Sequence, residues 1–238
     1  VSTSYEGGAV SGNDVVGGLI GQNLGNVTMS YSTGVVTSAG TSVGGLMGTN
    51  TGSVTSSFWD ITTSGKNSSA AGIGLLTADM MKTTTYSAQW DISNTGGAGT
   101  AWRIYDTSSY PLLRAFLTPL TVTANNVTRT YDATGYSGGN GVTYSIVGAT
   151  PSGTLSYTGN SQGGKNAGTY DITPTGLYST TQQGYDITFA NGTLTVNKAT
   201  VTLSGIAKTY DGGTTAGNTT MTIAGVGAET LNFTAATY

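Results

Sequence analysis

The sequence predicts an all-β protein: a short right-handed parallel β-helix (solenoid) with a cap segment, followed by small β-sandwich or β-grasp-like modules. Three observations lead to this prediction. Glycine supplies 38 of the 238 residues, and charged residues make up only 8%, so that good helix formers are scarce. Short pieces rich in valine, isoleucine, leucine and tyrosine alternate with glycine or asparagine corners, as strands do. Two different internal repeats divide the chain.

The first repeat lies within residues 1–62. The sequence VGGLIGQNLGNVT at residues 16–28 returns as VGGLMGTNTGSVT at residues 43–55, an offset of 27. A unit of this length, with three short strands and three corners, is typical of one coil of a β-solenoid, whose coils stack about 4.8 Å apart. Leucine-rich repeats have a similar period, but they need a longer leucine scaffold, and only Leu19 and Leu46 fit it.

The glycines of the repeat invite comparison with a phosphate-binding loop. VVGGLIG, however, lacks both the lysine and the following helix that such a loop requires. We therefore interpret these glycines as corners and close-packing points, where a side chain would obstruct the next coil or a turn.

Residues 63–117 are predicted to cap the solenoid. Thr77 is expected to cap a short helix from Ala78 to about Lys82, and Leu76 and Met81 have the spacing of a hydrophobic staple. Large aromatic residues concentrate around this segment: Trp59, Trp90, Trp102, Tyr105, Tyr110 and Phe116. They could cover the open end of the solenoid, which would otherwise expose unpaired backbone. The alternative is a platform on which the tryptophans stack against sugar rings.

A second repeat begins after Pro119. TVTANNVTRTYD at residues 121–132 returns as TVTLSGIAKTYD at residues 200–211, so that residues 118–197 are predicted to form one β module and residues 198–238 the first part of a second, truncated one. We expect the chain to be part of a longer protein that completes this second module; the alternative is completion by strands of another copy. Asn191-Gly192 predicts a two-residue hairpin turn. In the strand before it, Tyr185, Ile187 and Phe189 should face inward, with Asp186 and Thr188 outward.

Both halves resemble known families. The segment VGGLIGQNLGNVTMSYSTGVVTSAGTSVGGLMGTNTGSVTSSFWD resembles the GLUG repeats of large bacterial surface proteins, and GIGLLTADMMKTTTYSAQWDIS with AWRIYDTSSYPLLRAF resembles the segment that closes such repeats. This resemblance covers residues 1–117. The motifs RTYD, NAGTYDITPTG and GYDITFANGTLTVNKA resemble the MBG or YDG-type modules of filamentous-haemagglutinin-like adhesins of two-partner secretion. Together the resemblances imply an exported adhesin.

The residue types present argue against catalysis. Without histidine or cysteine, the usual nucleophile triads and zinc sites are excluded. The lysines all sit in polar, turn-like contexts, which disfavours a serine–lysine dyad. The aspartates of Tyr131-Asp132 and Tyr210-Asp211 recur where a side chain can bond its own backbone. We therefore predict no catalytic residue, no metal site and no cofactor, with a structural calcium ion near Asp132 or Asp211 as the alternative.

The charge of the chain limits its possible partners, and its sequons mark candidate glycosylation sites. The net charge of −3 and thinly spread cations argue against nucleic acid as a partner, and no apolar run is long enough to span a membrane. Five N-x-S/T sequons are candidate glycosylation sites: Asn26, Asn67, Asn126, Asn218 and Asn232. A sixth, at Asn191, is disfavoured by its predicted turn.

The function predicted from the sequence is a stalk and adhesive segment of a large secreted bacterial surface adhesin, associated with the outer membrane and with biofilm formation. The expected partners are host or bacterial cell-surface glycans, exopolysaccharide or matrix, and copies of the protein itself. One alternative is a self-assembling filament or surface-layer protein joined by strand complementation through residues 198–238. A second is a carbohydrate-active enzyme on the β-helix that uses Asp60 and Asp91.

Overall fold

A computed structural model describes residues 1–201, 212–213, 225–227 and 229. Strands dominate these residues, accompanied by three α-helices of four residues each and one short 3-10 helix. The prediction of an all-β fold is confirmed. The predicted second module, with Lys208, Asp211, Asn218 and Asn232, lies almost entirely outside the described residues.

The strands of the repeat region are short. They are β1 (Tyr5–Glu6), β2 (Val10–Gly12), β3 (Val15–Gly17), β4 (Ile20–Asn23), β5 (Asn26–Thr28), β6 (Tyr31–Ser32), β7 (Val36–Ser38), β8 (Ser42–Gly44), β9 (Met47–Asn50), β10 (Ser53–Thr55) and β11 (Phe58–Asp60). The closing segment contains α1 (Ile61–Ser64), β12 (Ile73–Leu75), α2 (Thr77–Met80), α3 (Thr83–Tyr86), β13 (Ile92–Ser93), β14 (Trp102–Arg103), β15 (Leu112–Leu113) and the 3-10 helix Arg114–Phe116.

Longer strands follow. They are β16 (Thr118–Ala124), β17 (Val127–Thr130), β18 (Val142–Tyr144), β19 (Ser152–Thr158), β20 (Gly168–Tyr178), β21 (Tyr185–Ala190) and β22 (Gly192–Asn197).

Successive repeats pair in parallel, residue for residue. Tyr5 lies opposite Tyr31 and Tyr31 opposite Phe58, while Val16 lies opposite Val43 and Val27 opposite Val54. The offset in these pairs is 26 or 27 residues, the period found in the sequence. Stacked coils require this pairing; the assignment to the right-handed β-helix class stays a prediction.

Small polar side chains reinforce the pairing. The Ser30 hydroxyl accepts the backbone N–H of Ser4, and the Ser57 hydroxyl accepts that of Ser30, each at 3.3 Å. The Asn23 amide donates to Asn50 Oδ1 at 2.7 Å. We call these the serine ladder and the asparagine ladder. They satisfy polar groups in the interior of the stack, where water could not replace the lost bonds.

Contacts divide the chain into two compact units. Unit 1 comprises residues 1–120, 150–152 and 177–188; unit 2 comprises residues 121–149, 153–176 and 189–238. The predicted limits of the four segments stay a prediction.

The core of unit 1 contains two clusters of buried residues. One, in the repeat region, contains Val27, Leu46, Met47 and Trp59. The other is aromatic and joins the repeats to the closing segment: Tyr31, Phe58, Met80, Tyr86, Trp90, Trp102 and Ile104. Tyr86 packs on Phe58 edge to face, with ring centroids 5.3 Å apart, a favourable geometry for aromatic pairs.

The predicted cap at Thr77 is wrong. Helix α2 begins at Thr77 itself, Leu76 occupies the N-cap position without a side-chain bond, and Leu76 is 54% exposed. The Thr77 hydroxyl donates instead to Asp60 Oδ2 at 2.6 Å.

Unit 2 contains most of a four-stranded sheet in the order β17-β22-β20-β19. Strand β22 pairs in parallel with β17 and antiparallel with β20. The buried core of unit 2 contains Ala124, Ile172, Leu194 and Val196. Five partly buried residues pack against it: Val127, Tyr131, Tyr136, Tyr157 and Tyr170.

The predicted hairpin at Asn191-Gly192 is wrong. β21 and β22 belong to different sheets, since β21 is next to β16 while β22 lies between β17 and β20. Gly192 does not have a positive φ. Glycine is needed at position 192 because a Cβ there would lie 2.4 Å from the Ala124 carbonyl oxygen. The glycine serves close approach of two backbones rather than a tight turn.

Candidate adhesive surface

The three tryptophans are core residues. Trp59, Trp90 and Trp102 are 7%, 5% and 0% exposed. The indole N–H of Trp90 donates to the Ser56 carbonyl at 2.8 Å, and that of Trp59 to the Lys66 carbonyl at 3.1 Å. Buried rings cannot stack on a sugar in solution, so the structure contradicts the tryptophan platform, whereas the capping role of this segment stays a prediction.

Asp60 is a structural acceptor rather than a catalytic acid. It is fully buried and accepts the backbone N–H groups of Thr62 and Thr63 at the start of α1. Its second oxygen accepts the hydroxyls of Thr77 and Tyr110, each at 2.6 Å. Asp91 is exposed and accepts the Ala101 N–H. With every bond of Asp60 directed inward, no carboxylate pair flanking a substrate cleft is formed by these two residues.

Asp186 contradicts the predicted alternation of its strand. Instead of facing water, its side chain is 7% exposed and lies between two arginines. Arg114 Nη1 is 2.5 Å from Asp186 Oδ2, and Arg103 Nε is 3.3 Å from Asp186 Oδ1. Arg103 also lies over the Tyr105 ring at 3.9 Å. Burial lowers the pKa of Arg103, although Tyr105 and Asp186 oppose the change. A buried charge needs such partners.

Asp132 adopts the predicted turn. Its carboxylate accepts the N–H and hydroxyl of Thr134 at 2.9 and 2.7 Å and pairs with Arg129. Despite slight desolvation, the bonds from Thr134 and Arg129 lower the pKa of Asp132. Among the residues that the structure describes, no three His, Cys, Asp or Glu side chains form a metal-ligand cluster. The calcium alternative at Asp132 stays a prediction, and Asp211 lies outside the described residues.

The described sequons are all exposed. Asn26 lies on β5, Asn67 follows α1, and Asn126 precedes β17 with its side-chain oxygen accepting the Thr193 N–H. Asn191 is also exposed and joins β21 to β22 outside any tight hairpin. Glycosylation at these asparagines stays a prediction.

One face of the sheet in unit 2 consists mainly of threonine side chains. Thr128 on β17 lies opposite Thr195 on β22, which lies opposite Thr169 on β20. Neighbouring strands are about 4.8 Å apart, so these residues form a straight row across three strands. Alternate positions extend the same face: Thr130 on β17, Thr193 and Asn197 on β22, and Asp171 and Thr173 on β20. We call this surface the threonine face.

The strands place these residues outward because the intervening ones form the core. Val127, Leu194 and Tyr170 lie opposite one another in the next row and point to the other side of the sheet. Side chains alternate between the two faces of a strand. A register shift of one residue would expose the apolar row and bury the threonines, so the core fixes the face.

Three hydroxyls of the threonine face have no partner within the described residues: the side chains of Thr128, Thr169 and Thr195 make no hydrogen bond there, and the first two residues are exposed. Asp171 is the charged residue among the positions named for this face. A hydroxyl both donates and accepts, so the surface can bind neutral hydroxylated partners and has no cation for an anionic one.

Reasoning from the sequence did not find this face, although its signal is present. Threonine recurs at every second position in VTRT, TLTV and DITPT, a pattern that marks one side of a strand. Assigning the strands to one sheet with aligned rows requires β22 to pair with both β17 and β20, and these pairings join distant segments. No local feature of the sequence specifies these two pairings.

Residues 120–195 match the family model described as MBG domain (YGX type). The match includes most of the strands that form the threonine face and covers less than half of the chain. MBG domains occur in surface adhesin-like proteins and are a non-enzymatic, adhesin-type module. No curated protein and no solved structure matches the chain. None of the helices in the described ranges has the length and apolar character of a membrane span.

Proposed function

We propose that this chain is a stalk and adhesive segment of a secreted bacterial surface protein, in which the paired repeats of unit 1 form a rigid spacer and unit 2 presents the threonine face. The observation that carries the proposal is the coincidence of an adhesin-type family match with a nearly uncharged face whose hydroxyls have no described internal partner. The repeats resemble GLUG repeats, and the whole resembles adhesins of two-partner secretion at the outer membrane.

The mechanism is multivalent contact with neutral hydroxylated polymers, such as cell-surface glycans, exopolysaccharide or matrix polysaccharide. A hydrogen bond exchanged with water contributes about 1 kcal/mol, so a single row of threonines binds weakly. Repetition along the polymer and among neighbouring proteins raises the effective concentration of each further contact. Low charge suits this role, because strong fields would attract unrelated polyions.

Binding to immobilised polysaccharides tests the proposal. The chain, displayed in several copies on a bead, should bind neutral polysaccharides and bind anionic polymers such as heparin or DNA no better than an uncoated bead does. Its binding should change little between 50 and 500 mM salt, since no ion pairs are involved. Absence of binding to every neutral polysaccharide, or binding that salt abolishes, would contradict the proposal.

A further inference from the structure

The dipeptide Asn-Gly occurs twice in the chain, at Asn140-Gly141 and at Asn191-Gly192. Asparagine is one of the thermally labile residues of proteins. Its side-chain amide reacts with the backbone nitrogen of the next residue, and glycine hinders this approach least because it has no Cβ. The reaction requires that the side chain and the nitrogen are both free to move. The two dipeptides differ in this respect, since only the glycine of the second lies within a strand.

Asn140 and Gly141 are exposed and lie in the connection between β17 and β18. Neither the Asn140 side chain nor the Gly141 N–H makes a hydrogen bond within the part of the chain that the structure describes. The dipeptide is held by its carbonyl groups instead. That of Asn140 accepts the Asn125 side-chain amide at 2.9 Å, and that of Gly141 accepts the Asn125 N–H at 3.1 Å. The two groups that would react are therefore unengaged.

The nitrogen of Gly192 is held in a sheet, although the Asn191 side chain is exposed. The N–H of Thr193 donates to Asn126 Oδ1 at 2.8 Å, on the side of β17. Successive N–H groups of a strand point to opposite edges, so the N–H of Gly192 points to β20, where Ile172 is its partner. Gly192 is also buried. Its nitrogen can approach the Asn191 side chain only when β22 opens locally.

We infer that Asn140 is a site of spontaneous covalent modification, at which deamidation produces aspartate and isoaspartate, and that the fold protects Asn191 from the same reaction. The Gly141 nitrogen bonds to Cγ of Asn140, and the side-chain nitrogen leaves as ammonia with the proton of the Gly141 N–H. Water then opens the cyclic imide. Opening at Cγ gives aspartate, whereas opening at the backbone carbonyl carbon gives isoaspartate. The net reaction consumes water and releases ammonia, and it needs no oxidant or enzyme.

Deamidation changes both the charge and the backbone of this connection. Residues 133–164 contain no charged side chain, so the new carboxylate is the only charge in that stretch. In isoaspartate the main chain runs through the former side chain, and the carbonyl that accepted the Asn125 amide becomes a free carboxylate. We expect the bonds that Asn140 and Gly141 make with Asn125 to loosen. This inference does not depend on the adhesive role.

The test follows both asparagines in the native chain at mildly alkaline pH, with a matched sample kept unfolded in concentrated urea. Proteolysis and mass spectrometry measure the conversion of each site. In the native chain, Asn140 should convert at least tenfold (a rough estimate) faster than Asn191, because reaction at Asn191 requires local opening. In urea the two rates should converge, because both sites are then unstructured Asn-Gly dipeptides.

Two variants assign the product. Asn140→Gln should abolish the fast conversion, because the longer side chain forms its cyclic imide slowly, and Asn191→Gln should leave it unchanged. Equal rates at the two sites in the native chain, or an Asn140 that folding slows as strongly as Asn191, would overturn the inference. Amide hydrogen exchange at Asn125 should become faster in the purified isoaspartate form, and unchanged exchange would contradict the predicted loosening.

Discussion

Arg114 Nη1 lies 2.5 Å from Asp186 Oδ2, and this contact joins two segments of unit 1 that are far apart in the sequence. The same Asp186 oxygen accepts the Gly97 N–H at 3.1 Å, and Arg103 approaches the other oxygen. Nearby, the Tyr105 hydroxyl donates to the Tyr185 carbonyl and accepts the Ile187 N–H. Part of the family-matched segment therefore completes unit 1.

Asp186→Asn should destabilise the protein. The substitution removes the negative charge that the buried guanidinium of Arg103 and the partly buried one of Arg114 share, and breaking a buried ion pair by loss of one partner costs about 3–5 kcal/mol. Asp171→Asn, at an exposed position of the same family-matched segment, is the control and should change the free energy of unfolding by less than about 0.5 kcal/mol. Equal effects in urea denaturation would show that the Asp186 cluster is not a stabilising contact.

Asp60→Asn should cost about 2–3 kcal/mol, because an amide cannot accept from all four donors and its NH₂ group would face two hydroxyls. Asp91→Asn, an exposed carboxylate that keeps its acceptor oxygen, should be nearly neutral. Circular dichroism during urea titration measures both. A stable, folded Asp60→Asn protein with unchanged midpoint would contradict the structural role given to this carboxylate.

Alkaline pH should weaken folding through Tyr110. Burial, together with the hydrogen bond to the Asp60 carboxylate, raises the pKa of Tyr110 from 10.0 to about 12. The folded state therefore retains this proton at pH values where the unfolded chain loses it. The contribution is complete below pH 10 and is lost as the pH rises toward 12.

The comparison of Tyr110→Phe with the native chain isolates this effect. The free energy of unfolding should fall less steeply with pH between 10 and 12 in Tyr110→Phe, by close to one proton. Tyr144→Phe, on β18, keeps the same number of tyrosines as Tyr110→Phe and is the matched control. Identical slopes in all three proteins would count against a raised pKa at Tyr110.

Gly17→Ala should disrupt the pairing of the first two repeats. A Cβ at Gly17 would lie 2.1 Å from the Ile20 carbonyl oxygen and 2.3 Å from the Met47 Cα, and backbone atoms cannot move aside cheaply. We expect a loss of about 2–3 kcal/mol. Gly25→Ala is the matched control, since nothing lies within 4 Å of its Cβ. Comparable midpoints for the two variants in thermal unfolding would refute close packing at Gly17.

Local patterns predicted the local structure well. The 27-residue offset between Val16 and Val43 gives the register in which the two residues are paired, because each repeat contains the same glycine positions and the same apolar residues. Most of the aromatic residues around Trp90 are buried, as expected for apolar cover, while their assignment to a cap stays a prediction.

The predictions that were wrong concern residues whose contact partners lie far away in the sequence. Alternation placed Asp186 outside, because the sequence near it does not show Arg103 or Arg114. Thr77 has the spacing of a helix cap, but helix α2 begins at Thr77 itself, and its hydroxyl donates to Asp60. Asn191-Gly192 has the composition of a hairpin turn, yet the pairing of β22 with β17 overrides it. At Asp186 and at Asn191-Gly192 a tertiary contact outweighs a local preference of about 1 kcal/mol.

The central claim is that the threonine face binds neutral polysaccharide, and a pair of triple variants tests it most directly. Thr128, Thr169 and Thr195 are replaced by valine in one protein, which keeps shape and strand preference but removes the hydroxyls, and by serine in the other, which keeps the hydroxyls. Bead-bound protein should lose at least tenfold (a rough estimate) in polysaccharide binding with valine and retain most of it with serine. Undiminished binding by the folded valine variant would contradict the claim for this face, whereas absence of binding by the native chain would contradict the adhesive role itself.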